Sequence, residues 1–322
     1  MDALSDVLRA LKLDGAVFLD AEFRAPWCIA ARGKIARLLM PAAEGFIHYH
    51  YIVEGRCQAR VEGATEVQLE AGDAVVFPAG AAHVLGSGLQ LAPFPLSEII
   101  TPPRRGRVAL VRYGGNGELT RAICGFLACD PRLCEPILSG LPPLFRVSLA
   151  AGPSGEWLDR SLRHSVAEAA SPRAGADVIL ARLSEVLFVE ALRLYLETLP
   201  PGQTGWLAGL RDPLVGKSLT LLHARSAHAW TVDELAREVG SSRSVLAERF
   251  THYLGQPPMH YLARWRLALA ADLLRSGNAP LARVAERVGY ESEAAFNRAF
   301  KREFGMPPAR WRRGDAHAAA RE

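Results

Sequence analysis

The sequence predicts an α+β protein of two domains: an N-terminal antiparallel β-barrel with following helices, then a C-terminal all-α domain holding two helix-turn-helix units. Three observations carry this. Short apolar runs broken by Gly and Pro fill residues from about 15 to 115, helical patterning takes over from Ser171, and one small unit occurs twice near the C-terminus.

A chain of 322 residues suits two cores better than one. With 49% hydrophobic and 22% charged residues it is expected to be soluble and globular. No stretch nears the roughly 20 uncharged apolar residues that span a bilayer, so no membrane partner is expected. The opening Met1-Asp2-Ala3-Leu4-Ser5-Asp6 lacks the basic start of a signal peptide, which points to the cytoplasm. Five cysteines, at 28, 57, 124, 129 and 134, show no CxxC pairing and no secreted disulfide framework. Charge is uneven: residues 208–322 hold 18 Lys and Arg against 12 Asp and Glu, a surplus of six, while residues 1–207 hold 20 against 22. Such a split is expected when one domain meets phosphate and the other does not.

In chain order, Ala74-Val75-Val76-Phe77 and Val108-Ala109-Leu110-Val111 have strand length, and their close spacing indicates an antiparallel barrel or sandwich. The segment with Pro93, Pro95, Pro102 and Pro103, ending in Arg104-Arg105, reads as a surface loop. Pro172 suits a first helical turn, Val178 to Leu196 continues it, and Pro200-Pro201 stops it. The apolar face of this helix is wide enough to pack on the barrel and on a second subunit, so intrachain packing and a homodimer both stay open. Pro200 to Thr204 is the expected linker, giving a domain at 1–204, a second at 205–315 and a tail at 316–322.

The repeat matches Glu238-Val239-Gly240 through Phe250 and Gly255-Gln256-Pro257-Pro258 with Arg287-Val288-Gly289 through Phe300 and Gly305-Met306-Pro307-Pro308. The offset is 49 up to Gly240 and Gly289 and 50 from Ser242 and Ser292 onward, a one-residue step that falls in the turn. Thr231 with Glu234 forms a capping box, Gly240 and Gly289 supply the turns, and Ser242 and Ser292 cap the second helices. At 100° per residue, Leu246 and Phe250 share one face, as do Phe296, Phe300 and Phe304. The opposite faces present Ser244, Ala247, Glu248 and Thr251 in the first copy and Ala294, Asn297, Arg298 and Lys301 in the second. Together with Ser242, Arg243, Ser292, Glu293 and Arg302, these are the candidate DNA-contacting residues. Arg298 has the donors for guanine O6 and N7, and Asn297 has the amide for adenine N6 and N7. A helix from Pro258 to Arg275, with Leu262, Trp265, Leu269 and Leu273 on one face, would hold the two units rigidly, and recognition helices that enter successive major grooves must sit about 34 Å apart on one side of the duplex.

The stretch Trp230-Thr231-Val232 to Trp311-Arg312 resembles the DNA-binding domain of AraC/XylS-type transcriptional regulators. Tyr261-Leu262-Ala263-Arg264-Trp265-Arg266, Ala285-Glu286-Arg287-Val288-Gly289-Tyr290 and Phe300-Lys301-Arg302-Glu303-Phe304-Gly305-Met306-Pro307-Pro308 carry the resemblance. It implies a sequence-specific regulator that binds double-stranded DNA, answers a small-molecule effector, and meets RNA polymerase if it activates. Ala247 and Glu248 stand where a strong base reader is expected, so either the second helix carries more of the readout or the first acts through Arg243, Ser244 and backbone contacts.

In the N-terminal half, Gly72 to His83 reads G-x5-P-x-G-x2-H, and Gly45-Phe46-Ile47-His48-Tyr49-His50 with Glu54 lies upstream. Both resemble cupin barrel motifs, and the wider likeness, from Leu4-Ser5-Asp6-Val7-Leu8 through Cys124-Gly125 and Leu141-Pro142 to Gly205-Trp206-Leu207, is to the cupin-like sensor half of AraC-type regulators. Period two puts His48 and His50 on one strand face, and with His83 they are the candidate ligands for a divalent transition metal. Glu54 precedes Gly55 and is set for a hairpin turn, and Ser87 replaces the Asn that often ends the second motif. The competing reading keeps these histidines hydrogen-bonded or exposed in glycine-shaped turns. Cys124, Cys129 and Cys134 are spaced by five, poor for zinc; they read as buried apolar residues or as a thiol switch.

Three functions compete: a regulator sensing a small molecule, metal or redox signal; a cupin metalloenzyme with an appended helical domain; and an architectural DNA binder. The enzyme needs acid-base residues beyond the histidines, which the sequence does not supply. The architectural protein needs little sequence preference, against which Arg298 and Asn297 argue. A non-enzymatic regulator is the expectation.

Overall fold

The computed structural model describes residues 3–11, 13–41, 43–100, 108–149, 153–169, 174–200 and 202–313. In chain order the elements are α1 (Ala3–Leu11), β1 (Asp14–Arg24), β2 (Cys28–Ala31), α2 (Lys34–Leu39), β3 (Gly45–Glu54), β4 (Arg56–Val61), β5 (Val67–Glu70), β6 (Asp73–Phe77), β7 (His83–Gly86) and β8 (Phe94–Pro95). There follow α3 (Leu96–Ile99), β9 (Ala109–Gly114), β10 (Leu119–Cys129), α4 (Pro131–Leu138), β11 (Phe145–Ser148), α5 (Pro153–Ala169) and α6 (Ala176–Thr198). The remainder is helical: α7 (Trp206–Arg211), α8 (Pro213–Ala224), α9 (Val232–Val239), α10 (Arg243–Leu254), α11 (Pro258–Ser276), α12 (Leu281–Arg287), α13 (Glu293–Phe304) and α14 (Pro308–Arg312).

Two compact units result, one from the strands with α2 to α6, the other from α7 to α14 together with α1. The second grouping departs from the expected 1–204 boundary. α1 presents Ala3, Val7 and Leu11 at helical spacing, all 3% exposed or less, and packs on α8 and α11. A nine-residue helix has too little hydrogen bonding to stand alone, so its apolar stripe decides where it lies.

The strand unit is built on two sheets, one ordered β11-β6-β3-β10-β1-β9 and the other β5-β4-β7-β2-β8. Two mixed sheets thus stand in place of the expected antiparallel barrel or sandwich. The sheets have their own edges, and β9 runs parallel to β1, as β8 does to β2. These pairings join Leu19 to Ala109 and Ile29 to Phe94, segments too far apart in sequence for any local pattern to reveal. The proline-rich segment also differs from the expected loop, since Pro95 lies in β8 and α3 follows it; residues 101–107, with Pro102, Pro103 and the two arginines, lie outside the described residues. Pro172 and the 316–322 tail do as well.

Central strands β3 and β10 are buried along almost their whole length, with one face in the core between the sheets, while α6 packs across the same sheet, chiefly on β1 and also on β10. Their register places Tyr49 opposite Gly125, where a Cβ would sit 2.1 Å from the Tyr49 hydroxyl. Glycine at 125 therefore makes room for the ring, and the hydroxyl reaches Ser184 Oγ on α6 at 2.6 Å. That contact ties the long helix to the sheet. On α6 the opposite side stays uncovered, leaving Val178, Ile179 and Val186 exposed.

In the helical unit, α11 is the spine. Tyr261, Leu262, Trp265, Leu267, Ala270, Ala271 and Leu274 are buried, whereas Leu269 and Leu273, expected on the inner face, are half-buried. The wider stripe reflects neighbours on two sides, since α11 contacts α10, α12, α13 and α14.

Candidate nucleic-acid interface and effector pocket

Each recognition helix starts where the sequence caps it. Thr231 Oγ1 accepts from Glu234 N at 3.1 Å to open α9, and Gly240 closes it at φ 76°. Ser242 Oγ then accepts from Val245 N at 3.3 Å, and fifty residues on Ser292 Oγ accepts from Ala295 N at 3.2 Å. Burial of Leu246 and Phe250 in α10, and of Phe296, Phe300 and Phe304 in α13, fixes which faces look outward.

On α10 the outward side carries Ser242, Arg243, Ser244, Glu248 and Thr251, all exposed, with Ala247 half-buried. Val245 is also exposed, at 51%, and is a residue the sequence reading omitted. Arg243 reaches Asp233 at 3.2 Å, a pair so exposed that it holds the guanidinium only weakly. On α13, Ser292, Glu293, Ala294, Arg298, Lys301 and Arg302 are exposed, and the side chains of Arg298 and Lys301 form no hydrogen bond or ion pair within the described residues. Asn297 differs from expectation: it is half-buried, and its Nδ2 donates to Glu293 O at 2.9 Å. One amide hydrogen is thus spent on its own helix. Outward, α13 presents the cations Arg298, Lys301 and Arg302 after Glu293 in its first turn, whereas α10 offers Arg243 in its first turn and then only small, polar or acidic groups at Ser244, Ala247, Glu248 and Thr251.

The histidines converge from two sheets. His48 and His50 lie on β3 and His83 on β7, all 7% exposed or less, around a pocket of about 190 Å³ also lined by Ala30, Ala31, Gly33 and Leu96. His83 Nδ1 is 2.7 Å from Ala81 O, and because a carbonyl only accepts, that nitrogen carries hydrogen. Burial holds His83 down to about 3, so the ring is neutral and its Nε2 is a lone pair. His50 Nε2, 2.7 Å away, is therefore the donor, and His50 Nδ1 is left as a buried acceptor without a partner among the described residues. Burial likewise lowers His48 to about 4, and places His50 well below its ordinary value, with the neighbouring histidines adding to the shift.

This arrangement does not match a metal centre. A zinc ion needs lone pairs aimed at one point about 2.0–2.1 Å from each nitrogen, whereas His50 and His83 hydrogen-bond one another. Among the described residues no group of three or more His, Cys, Asp or Glu is placed to hold a metal, and Glu54 is exposed at the end of β3, away from the pocket lining.

Cys124 and Cys129 lie on β10 and Cys134 on α4. All five cysteines are free and buried. Burial raises the Cys124 thiol, and a contact with Cys129, reinforced by burial, raises Cys134. Thiols held protonated in this way are slow nucleophiles.

A chain with a two-sheet pocket unit and a pair of capped helix-turn-helix units has the build of a ligand-gated DNA-binding protein. Comparison with known proteins agrees: a cupin family profile matches residues 2–197, and a helix-turn-helix profile matches residues 235–314. An AraC-like transcription regulator of Streptomyces antibioticus is 34% identical over 314 residues, spanning 97% of this chain and 99% of its own length. Another from Streptomyces lividans is 35% identical across 97% and 98%. The AlkR regulator of Acinetobacter baylyi is 29% identical across 97% and 99%. The chain belongs to the AraC family of helix-turn-helix transcription regulators.

Proposed function

We propose that this regulator reads a non-palindromic DNA site through two unequal helices and is switched by a small organic molecule held at the histidine pocket. The observation that carries the reading is the contrast between α13, with Arg298 and Lys301 outward and unpaired among the described residues, and α10, with Ser244, Ala247 and Glu248. Cations at a groove add affinity, and an arginine pairs bidentately with guanine, so α13 carries most of the readout. The neutral imidazoles favour an uncharged hydrogen-bonding effector over a metal, and the buried protonated thiols argue against a redox signal. The pocket unit binds and does not catalyse.

No helix among the described residues is long and apolar enough to cross a membrane, and the regulator is assigned to the cytoplasm with its DNA. A second copy of the chain covers the outer side of α6. Val178, Ile179 and Val186 are exposed there, and in an antiparallel pair centred on Val186, Arg182 and Glu190, each four residues from the centre, face one another across the two-fold axis. RNA polymerase is the further partner if the protein activates. The test is selection from a randomised duplex pool with the full chain: an enriched motif with two dissimilar half-sites is expected. Enrichment of no motif, with tight binding to every duplex, defeats the reading in favour of an architectural role.

A further inference from the structure

Asp212 is the least exposed carboxylate carrying an ion pair in the helical unit, its side chain 1% exposed. Its Oδ1 accepts from Leu214 N at 3.0 Å and Val215 N at 2.9 Å, capping α8, while Oδ2 accepts from Arg249 Nε at 2.6 Å. Arg249 belongs to the first recognition helix, between Glu248 on the outward face and Phe250 in the core. We propose that Asp212 is a positioning residue for DNA readout, setting through Arg249 the rotation of α10 about its own axis, and that Arg249 serves this clip and contacts no phosphate.

Geometry gives the clip its leverage. Leu246 and Phe250 bury one apolar face of α10, which packs against α7, α8, α9 and α11. Arg249 lies 100° around the helix from both Glu248 and Phe250, so its bond acts on the flank of the apolar face, off the line of contact, and adds a directional restraint on the helix's rotation. The need is specific to this helix. Ser244 and Ala247 are short, and a short side chain reaches a base edge only when its backbone is placed closely.

The second unit is held differently. The position matching Arg249 is Ala299, which is buried, and α13 is instead tied to the spine by Arg264 Nε and Glu303 Oε1 at 2.9 Å. The duplication thus kept the cap serine and the phenylalanine core and changed the clip. Arg249 is not free to leave for a phosphate, because its departure strands the Asp212 charge away from water.

The inference rests on the two-helix reading above, and the experiment separates the two. The full chain, R249M, D212N and the double variant D212N/R249M are each used to select from randomised duplexes about three helical turns long. R298A first assigns which half-site belongs to α13. Each variant is expected to lose base preference in the α10 half-site and keep it in the α13 half-site, with about tenfold weaker binding to the parent's selected duplex. The slope of log affinity against log salt stays at the parent value. The double variant, which leaves no buried unpaired charge, matches the single variants rather than summing them, and it decides the matter if D212N alone fails to fold by circular dichroism. A slope lowered by about one in R249M makes Arg249 a phosphate contact and overturns the proposal. Retention of the α10 half-site in the double variant overturns it too. If the parent selects no motif, the two-helix reading has failed and the inference falls with it.

Discussion

His50 Nε2 and His83 Nε2 stand 2.7 Å apart across two sheets, and the Ala81 carbonyl behind His83 decides which of them donates. The bond needs a lone pair on one of the two facing nitrogens, so it is lost once both rings are protonated, and burial opposes even the first proton. Folded values of about 4 for His48 and about 3 for His83 lie below the ordinary 6.5, so below pH 6.5 the unfolded chain takes up protons that the folded chain refuses. Stability must then fall as pH drops from 6.5 towards 4, by about 2 kcal/mol for each buried histidine at pH 5. Urea unfolding of the full chain at pH 7.5, 6 and 5 checks the sign. A midpoint that is flat over that range removes the neutral-imidazole assignment.

The helix α1 gives a second expectation. Val7 is 1% exposed at the centre of its apolar stripe, packed with the helical unit, although the chain runs from it directly into β1. Val7→Asp places a charge where there is no partner, and a loss of about 2 to 4 kcal/mol is expected. Limited proteolysis reads where it acts. Protection should be lost across α8 and α11, and loss confined to the strand unit would place α1 elsewhere.

Much of the helical unit was legible because its information is local. Thr231, Ser242 and Ser292 cap helices within three residues of themselves, and the phenylalanine spacing fixes the inward faces. The strand unit was legible in its motifs and less so in its pairing: His48 and His50 share a face by simple alternation, but the parallel partnership of β1 with β9 depends on segments that are distant in sequence. The clip on α10 escaped notice for the same reason. Asp212 and Arg249 are 37 residues apart, and only the packing of α8 on α10 brings them together. Residue type alone does not show that Asn297 donates to the Glu293 carbonyl four residues earlier, a bond that polar helix residues readily make.

The two turn glycines separate conformational need from space. Gly240 has φ 76° and Gly289 φ 82°, so either one replaced by alanine incurs the left-handed cost of about 1 to 2 kcal/mol. Around Gly240 a Cβ meets nothing within 4 Å, whereas at Gly289 it comes 2.6 Å from the Ala227 carbonyl oxygen. Gly289→Ala should therefore destabilise more than Gly240→Ala. Thermal melts of the two variants give the order, and equal melting temperatures would show that the Ala227 loop yields without resistance.

Arg298 and Lys301 lie three residues apart on one exposed face of α13, yet their charges are expected to act differently. A guanidinium forks onto guanine O6 and N7, so Arg298→Ala should weaken the selected duplex by about 1 to 3 kcal/mol and relax one base pair, with less effect on random DNA. An ammonium on phosphate carries no sequence information, so Lys301→Ala should weaken all duplexes alike and lower the salt slope by about one. Titrations on the selected and a scrambled duplex at two or more salt concentrations distinguish them. Equal loss on both duplexes for Arg298→Ala would reassign it to the backbone and leave base readout to the rest of the α13 face.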